Sequence, residues 1–400
     1  MRIALYYPWI HLTSGAERVI IELVRRSRHQ YTVYTNHFDR QATFPELAGM
    51  PVTELSRLPV KRTLWTTARN SWKLLWQKLP AANHEHLVVL CEGLGDLVLF
   101  RNSGVPATCL CLTPLRACFD PHYRAQAFRQ RSLAGRLVLQ AGTAAFARVD
   151  RALWKRYGNV VCISGEVRKR VIAAGLAPEG KIRVAYPGVG VAGNGSAFAS
   201  ERYFLLPGRI MWTKNHKLAI EAFRLMRSQH PELRDFRLVI AGMVDHKSGA
   251  YFESLRALCG GDSGFEFRVS PPDEELVSLY QRSFGVLFTA FNEDWGIVPL
   301  EAMSFSKPVV AVNRGGPRET VIHETNGLLA EPDPQAFSTQ MSRLALAPDW
   351  AAALGHAGAG HWRRFNWDEF VSQVDRAVEG GAVRETIRLE SERYVADPEP

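Results

Sequence analysis

Short apolar runs recur along the chain, and polar or small residues follow most of them. Such runs are typical of strands buried on both faces of a parallel sheet. They cover residues 2–7, 31–35, 87–90, 108–112, 159–163, 182–186, 203–206, 237–241, 265–269, 286–289 and 309–312. Because segments with helical periodicity separate many of the runs, the pattern predicts an α/β protein built on doubly wound parallel sheets.

Residues 286–319 combine two of these runs with a helical segment between them. Polar and small residues follow the first run, and Pro299 suits the first helical turn, where a missing N–H costs nothing. Pro308 ends the helix, and the second run leads into Gly315 and Gly316. The segment therefore predicts a strand, loop, helix, strand unit, whose ligand would bind at the carboxyl ends of the strands.

Two carboxylates lie within this unit, Glu293 in the loop and Glu301 early in the helix. The free N–H groups of a helix start hold phosphate, and carboxylates hold vicinal hydroxyls. The N–H groups here belong to Gly296, Ile297 and Val298. A nucleoside diphosphate sugar needs both kinds of contact. The alternative is that the two glutamates bind no ligand, and that they serve as a helix cap and a solvated side chain.

Three further loops at predicted strand ends carry candidate groups. Arg209 and Lys214 follow the run at 203–206, and such cations can clamp a diphosphate, although two exposed bases are also ordinary. Glu319 follows the glycine pair, where a carboxylate and backbone amides can approach a ligand. Gly15 opens a helix after the first strand, either to admit a ligand close to the backbone or to let the turn pack.

Composition narrows the class of protein. The 400 residues allow two or three domains, and 46% hydrophobic content is ordinary for a globular protein. The N-terminus has no small-residue cleavage site, and no run reaches the length of a membrane span, so we expect neither signal peptide nor anchor. Six cysteines at irregular spacing predict reduced thiols in a cytosolic chain and no metal site.

The net charge of +9 is unevenly distributed, since residues 1–200 carry 27 Lys and Arg against 12 Asp and Glu. An anionic partner is therefore expected for the first half. A basic stretch with tryptophans stands out there, and its members are Lys61, Arg62, Trp65, Arg69, Trp72, Lys73 and Trp76. On a helix, Trp65, Ala68, Trp72, Trp76 and Leu79 share one face. This face suits either an anionic membrane surface or the protein core. Nucleic acid is disfavoured because no binding module accompanies the charge.

The segments EDWGIVPLEAM, KPVVAVNRGGPRET and NGLLAEPDP together resemble the retaining glycosyltransferases of family four. The likeness is nearest to mannosyltransferases that extend lipid-linked oligosaccharides and to related bacterial polysaccharide enzymes. It implies the GT-B fold, in which two Rossmann-like doubly wound domains face each other across a cleft. It also implies that Glu293 contacts the donor sugar hydroxyls and Glu301 the ribose. Arg209 and Lys214 would then stabilise the leaving nucleoside diphosphate.

One residue departs from the family pattern. Many relatives carry a histidine that contacts the donor sugar where this chain has Leu112, and leucine cannot make that hydrogen bond. A nucleotide-sugar-binding subunit without turnover is therefore a second hypothesis. A different enzyme of the same fold class, such as a nucleotide-sugar epimerase, is a third.

The sequence thus predicts an acceptor-binding domain at 1–187, a linker at 188–202 and a nucleotide-sugar-binding domain at 203–361. A helix at 362–380 would cross back to the first domain, and 381–400 would form a tail. We expect transfer of a hexose, chiefly mannose from GDP-mannose, to a lipid-linked or membrane-associated glycan, without a metal or other cofactor. A UDP-sugar donor is the alternative. The expected location is cytoplasmic, peripheral at the inner face of the membrane.

Overall fold

A computed structural model of the chain describes residues 1–60, 63–80, 83–129, 132–190, 192–193, 200–244 and 247–380. The chain folds as two compact units. The first comprises Met1–Pro187 and the segment that begins at Asn366, and the second comprises Gly188–Phe365. The predicted tail at 381–400 lies outside the described residues, as does part of the predicted linker.

The first unit is built on a seven-stranded sheet in the order β3-β2-β1-β4-β5-β6-β7, with every neighbouring pair parallel. The strands are β1 Arg2–Tyr6, β2 Gln30–Thr35, β3 Val52–Glu54, β4 His86–Cys91, β5 Ala107–Cys111, β6 Tyr157–Cys162 and β7 Ile182–Val184. The strand order reverses between β1 and β4. Ligands of such sheets bind beside a reversal of this kind.

Helices connect these strands, as parallel pairing requires. They are α1 Gly15–Arg26, α2 Leu64–Leu75, α3 Arg116–Phe119, α4 Pro121–Arg129, α5 Leu133–Trp154 and α6 Gly165–Ala173. The last helix in the described part of the chain, Trp367–Val378, also belongs to this unit. Its side chains Phe370 and Val374 are fully buried, and the Asn159 side chain of β6 donates a hydrogen bond to the Ala377 carbonyl at 2.9 Å.

The buried face of the first sheet gathers three thiols that are scattered in the sequence. Because Cys91 and Cys111 are paired neighbours on β4 and β5, and Cys109 lies two residues before Cys111, their Sγ atoms fall within 4.8 Å of one another. The Cys91 thiol donates to Asp96 at 2.9 Å, and burial raises the pKa of this carboxyl. These three thiols are a potential donor set for a soft metal ion, and their irregular spacing in the sequence does not reveal how close they lie in the fold.

The second unit is built on a six-stranded parallel sheet in the order β10-β9-β8-β11-β12-β13. The strands are β8 Tyr203–Pro207, β9 Arg237–Gly242, β10 Phe265–Val269, β11 Gly285–Phe288, β12 Val309–Val312 and β13 Leu328–Ala330. The helices are α7 His216–Gln229, α8 Gly249–Cys259, α9 Asp273–Arg282, α10 Ile297–Ser304, α11 Pro317–Thr320, α12 Pro334–Leu346 and α13 Pro348–His361. The order reverses between β8 and β11.

The predicted helix at 362–380 is shorter than expected. Residues Trp362–Arg364 form a single 3₁₀ turn in the second unit, and the helix itself, α14, spans Trp367–Val378. The Asn366 side chain separates the two elements, because it accepts a hydrogen bond from the Glu369 N–H at 2.9 Å and so caps the start of α14.

Candidate functional site

The site lies at the strand-order reversal of the second unit. Two loops meet there, one after β8 with Arg209 and Lys214, and one after β11 with Glu293. Backbone and side-chain hydrogen bonds tie the loops together, since the Phe291 N–H donates to the Thr213 carbonyl at 2.7 Å and the Thr289 hydroxyl donates to the Lys214 carbonyl at 2.9 Å. The reversal therefore brings together residues that are about eighty positions apart.

The central contact of this site is an ion pair between Lys214 and Glu293. The Lys214 Nζ lies 2.5 Å from Glu293 Oε2, and the two side chains are 25% and 23% exposed. Next along the chain, Asn215 has a left-handed backbone with φ of 51°, which ends the turn that carries the lysine and caps α7. His216 is buried and neutral, because burial lowers its pKa to about 3, so it adds no second positive charge.

Arg209 occupies the same loop but has no ion-pair or hydrogen-bond partner within the described part of the chain. Its backbone is fixed by the close approach of the loops after β8 and β9. The Ile210 N–H donates to the Met243 carbonyl at 2.8 Å, and a Cβ on Gly242 would lie 2.0 Å from the Gly208 carbonyl oxygen. A positioned guanidinium without a carboxylate is suited to an anionic ligand.

The glycine pair after β12 supports the loop that carries Glu293. Gly315 has φ of +70°, and the Gly316 N–H donates to the Glu293 carbonyl at 2.9 Å. A Cβ on Gly315 would lie 2.5 Å from the Glu293 carbonyl oxygen, and one on Gly316 would lie 2.3 Å from that of Trp295. Backbone therefore packs directly on backbone here, which only glycine permits. Glu319, one turn further on, is half-buried in the short helix α11.

The helix α10 begins at the same edge, with Gly296 as its N-cap at φ of +83° and Ile297 and Val298 in its first turn. Glu301 lies on this helix, and its Oε2 accepts a hydrogen bond from the buried Tyr280 hydroxyl at 2.8 Å. Tyr280 therefore fixes the orientation of the Glu301 carboxylate. Tyr280 is not predicted from the sequence, because nothing in its local pattern distinguishes it from a core tyrosine.

The predicted Gly15 site belongs to the first unit, at its own strand-order reversal. Gly15 is exposed at the start of α1, and a Cβ there would meet nothing within 4 Å. The packing explanation for this glycine is therefore wrong, and the helix start is open. Glu17 is buried below it and accepts hydrogen bonds from the Ser14 hydroxyl and the Leu12 N–H, and burial raises its pKa. Glu17 thus shapes the loop, a role that the sequence analysis did not foresee.

The tryptophan helix α2 exposes its aromatic side chains. Trp65, Trp72 and Trp76 are 77%, 64% and 49% exposed, and Arg69 and Lys73 are exposed on the same helix. The interpretation of these tryptophans as core is therefore wrong. Leu79 does not share their face, because α2 ends before it and its side chain is buried. Lys61 and Arg62 lie outside the described residues.

Within the described ranges, none of the helices combines the length and apolarity that crossing a bilayer requires.

Leu112, where the sequence departs from the family pattern, is buried at the end of β5, and its N–H donates to the Cys91 carbonyl at 3.0 Å. Its side chain is thus part of the core of the first unit.

The sequence of the chain is similar to those of known glycosyltransferases. Residues 195–360 match the family described as Glycosyl transferases group 1. The chain is similar to the alpha-1,3/1,6-mannosyltransferase ALG2 of Mus musculus, with 35% identity over 185 residues that cover 44% of each protein. It is also similar to the D-inositol 3-phosphate glycosyltransferase of Acidothermus cellulolyticus, with 32% identity over 225 residues that cover 52% of this chain and 50% of that protein. The matches thus span about half the length of these curated relatives or less.

Among solved structures, the chain is similar to Anabaena HepE in complex with UDP and glucose. The TM-score is 0.70 at 18% identity, and the likeness covers 95% of this chain and 100% of that one. At 18% identity, this structural likeness is evidence for the fold alone. The predicted fold class, GT-B with two Rossmann-like parallel-sheet domains, is confirmed.

Proposed function

We propose that the chain is a retaining glycosyltransferase, because its residues 195–360 match the family described as Glycosyl transferases group 1. It moves a hexose, chiefly mannose from GDP-mannose, onto a lipid-linked or membrane-associated glycan. The observation that carries the proposal is the Lys214–Glu293 pair at the strand-order reversal of the second unit. Arg209 lies in the same loop and has no ion-pair partner among the described residues.

These groups have the chemistry that cleavage of a sugar diphosphate needs. As the bond between the anomeric carbon and the diphosphate breaks, negative charge grows on the departing phosphate, and fixed cations lower the energy of that charge. Arg209 supplies a planar fork, and Lys214 supplies three N–H donors, enough to hold Glu293 and a phosphate oxygen at once. Glu293 accepts hydrogen bonds from the sugar hydroxyls and holds the ring in place.

Retention of configuration follows from attack on the same face that the diphosphate leaves. The acceptor oxygen forms a bond to the anomeric carbon, the diphosphate takes the bonding electrons, and its phosphate oxygen takes the acceptor proton. This sequence requires no nucleophile from the protein. We further propose that the two cations neutralise the diphosphate without a metal ion. In the same scheme, Glu301 holds the ribose, while the glycine-pair loop and Glu319 approach the donor.

The choice of mannose is supported by the similarity to ALG2, whose name specifies a mannosyltransferase. The second candidate is a UDP-sugar donor, which the complex of HepE with UDP and glucose favours. Incubation of the purified chain with GDP-mannose and with UDP-glucose separates the two, because slow hydrolysis releases the nucleotide. Release of GDP from GDP-mannose is expected. Binding of a donor without release of either nucleotide would identify a subunit without turnover and overturn the proposal.

For the acceptor side, we propose that α2 rests on an anionic membrane surface at its cytoplasmic face, which keeps the protein peripheral. The exposed tryptophans suit the interfacial region of a bilayer, and Arg69 and Lys73 beside them attract anionic lipid. A lipid-linked acceptor would lie in that same membrane.

Changing Trp72 and Trp76 to Ala should weaken flotation with anionic liposomes about tenfold or more. Withdrawing even ~100 Å² of apolar area from a membrane costs about 2.5 kcal/mol of binding free energy. The matched control is Trp362→Ala, which removes a half-buried tryptophan from the second unit and should leave flotation unchanged. Equal flotation of the double variant and the unmodified chain would refute the membrane proposal.

A further inference from the structure

The first unit contains a cavity of about 320 Å³ whose lining is rich in arginine. Its lining residues are Cys118, Arg124, Gln140, Thr143, Ala144, Ala147, Arg148 and Arg151. None of the lining residues is acidic. Within the described part of the chain, Arg124, Arg148 and Arg151 form no ion pair with a carboxylate, and no interaction described above uses this cavity. Three guanidinium groups around one cavity attract an anion with several oxygen atoms, such as phosphate or diphosphate.

The carboxyl group next to Arg151 in the sequence does not cancel this attraction. Asp150 precedes Arg151 on α5, but it is buried and its burial raises its pKa, which disfavours the negative form. Arg151 donates to the Ala174 carbonyl at 2.8 Å and Arg148 donates to the Ala144 carbonyl at 3.3 Å, and these bonds leave further N–H donors on each guanidinium.

The same face of α5 becomes apolar toward the start of the helix. Leu133, Leu137, Gln140, Ala144, Arg148 and Arg151 recur at helical spacing and therefore share one face. Leu133 and Leu137 are 77% and 68% exposed and lie one helical turn apart, so they form a contiguous exposed apolar stripe. With a rise of ~1.5 Å per residue, Leu137 lies about 17 Å from Arg148 along the helix axis. One helix face thus offers an apolar stripe at one end and an anion-binding cavity at the other.

We propose that the arginine cavity binds the phosphate or diphosphate head of the acceptor lipid, whose hydrocarbon chain lies along Leu133 and Leu137. The inference rests on the proposed function for the identity of this lipid as the acceptor. The binding itself does not require turnover. Arg124 and Arg148 hold the head group by charge-assisted hydrogen bonds, and the apolar stripe selects an amphiphile over a free anion.

Calorimetric titration of the 400-residue chain tests this directly with three probes, dodecyl diphosphate, dodecanol and inorganic pyrophosphate. Dodecyl diphosphate should bind more tightly than pyrophosphate, and dodecanol should not bind measurably. Changing Arg124 and Arg148 together to Gln should weaken dodecyl diphosphate binding by about tenfold or more for each arginine, as loss of charge-assisted hydrogen bonds predicts. The conservative Arg148→Lys variant should retain part of the affinity.

The matched control is Arg57→Gln, which removes one exposed positive charge from the same unit and should leave the affinity unchanged. Arg57→Gln and the double variant should both keep the melting temperature of the unmodified chain. Equal affinity of the double variant and the unmodified chain would overturn the proposal. Pyrophosphate binding as tight as that of dodecyl diphosphate would overturn the lipid part of it, and so would effective competition by vesicles of ordinary anionic phospholipid. The donor-release assay uses none of these probes, so either inference can fail alone.

Discussion

Replacing Lys214 with Met should lower the rate of nucleotide release from the donor by about a hundredfold or more, and Glu293→Gln should do the same. Loss of a single preorganised group that stabilises developing charge typically costs ~10²–10³ in rate. Lys214 lies 2.5 Å from Glu293, so each substitution also removes the partner that orients the other side chain. The rates are measured by single-turnover release of nucleotide from the preferred donor.

The double variant Lys214→Met, Glu293→Gln should be little slower than either single variant, because contacting residues that act as a unit are strongly non-additive. The chain offers a matched control, the exposed pair of Lys217 and Glu221 at 3.5 Å on α7. Lys217→Met should leave the rate unchanged. If all three Lys214 and Glu293 variants turned over the donor at the unmodified rate, the pair would be only a surface ion pair and the proposed function would fall.

The second large effect is expected from Gly316→Ala. A Cβ at this position would lie 2.3 Å from the Trp295 carbonyl oxygen and 2.5 Å from its Cα, so the loop that carries Glu293 must shift. Overpacking of this kind costs about 1–3 kcal/mol of stability, and a displacement of ~1 Å at a reacting group can cost about a hundredfold in rate. Both quantities are accessible, the first by urea unfolding and the second by the nucleotide-release assay.

Gly249→Ala is the matched control for this prediction. Gly249 begins α8 in the same unit, and a Cβ there meets nothing within 4 Å. This variant should keep the full rate and gain up to about 1 kcal/mol, because alanine loses less conformational entropy on folding than glycine. A Gly316→Ala chain that is as active and as stable as Gly249→Ala would contradict backbone packing as the support of the Glu293 loop.

The apolar runs of the sequence identify eleven of the thirteen strands in the described part of the chain, including β7 and β10 at sheet edges. The run at 309–312 coincides with β12, and 265–269 coincides with β10. The missing strands are β3 and β13, each of three residues and each at one edge of its sheet. Three residues offer few positions for a pattern. β7 is equally short, but its apolar run continues beyond the strand to Tyr186 and is therefore recognisable.

The site residues fall into two groups, those whose role depends on a single loop and those whose role depends on distant parts of the chain. Backbone demands of residues such as Gly315, Gly316 and Pro299 can be read locally, because they arise within a single loop or helix start. The Lys214–Glu293 contact and the Tyr280–Glu301 hydrogen bond cannot, because each depends on which strands are neighbours in the sheet. Only the resemblance of several segments to one family grouped the first pair, and nothing indicated the second.

The exposure of Trp65 and its neighbours shows a further limit of sequence patterns. Helical periodicity identifies an apolar face but not what covers it, and α2 turns Asn70 and Leu74 inward instead of its tryptophans. The thiols of Cys91 and Cys111 show that the sequence also hides contacts between distant residues. Twenty positions apart in the chain, they become neighbours through the pairing of β4 with β5.

The position of α14 in the chain determines when the first unit can be completed during synthesis. Its residues are the last of the described chain to leave the ribosome, yet they complete the unit that was made first, through Ser27 to Asp375 at 2.7 Å and Arg28 to Glu379 at 2.6 Å. Until translation passes Val378, α1, β5 and β6 lack the contacts that α14 makes with them in the finished unit. A gene fragment that stops at Pro187 would lack those contacts permanently, so a first unit expressed alone needs residues 366–380 supplied as well.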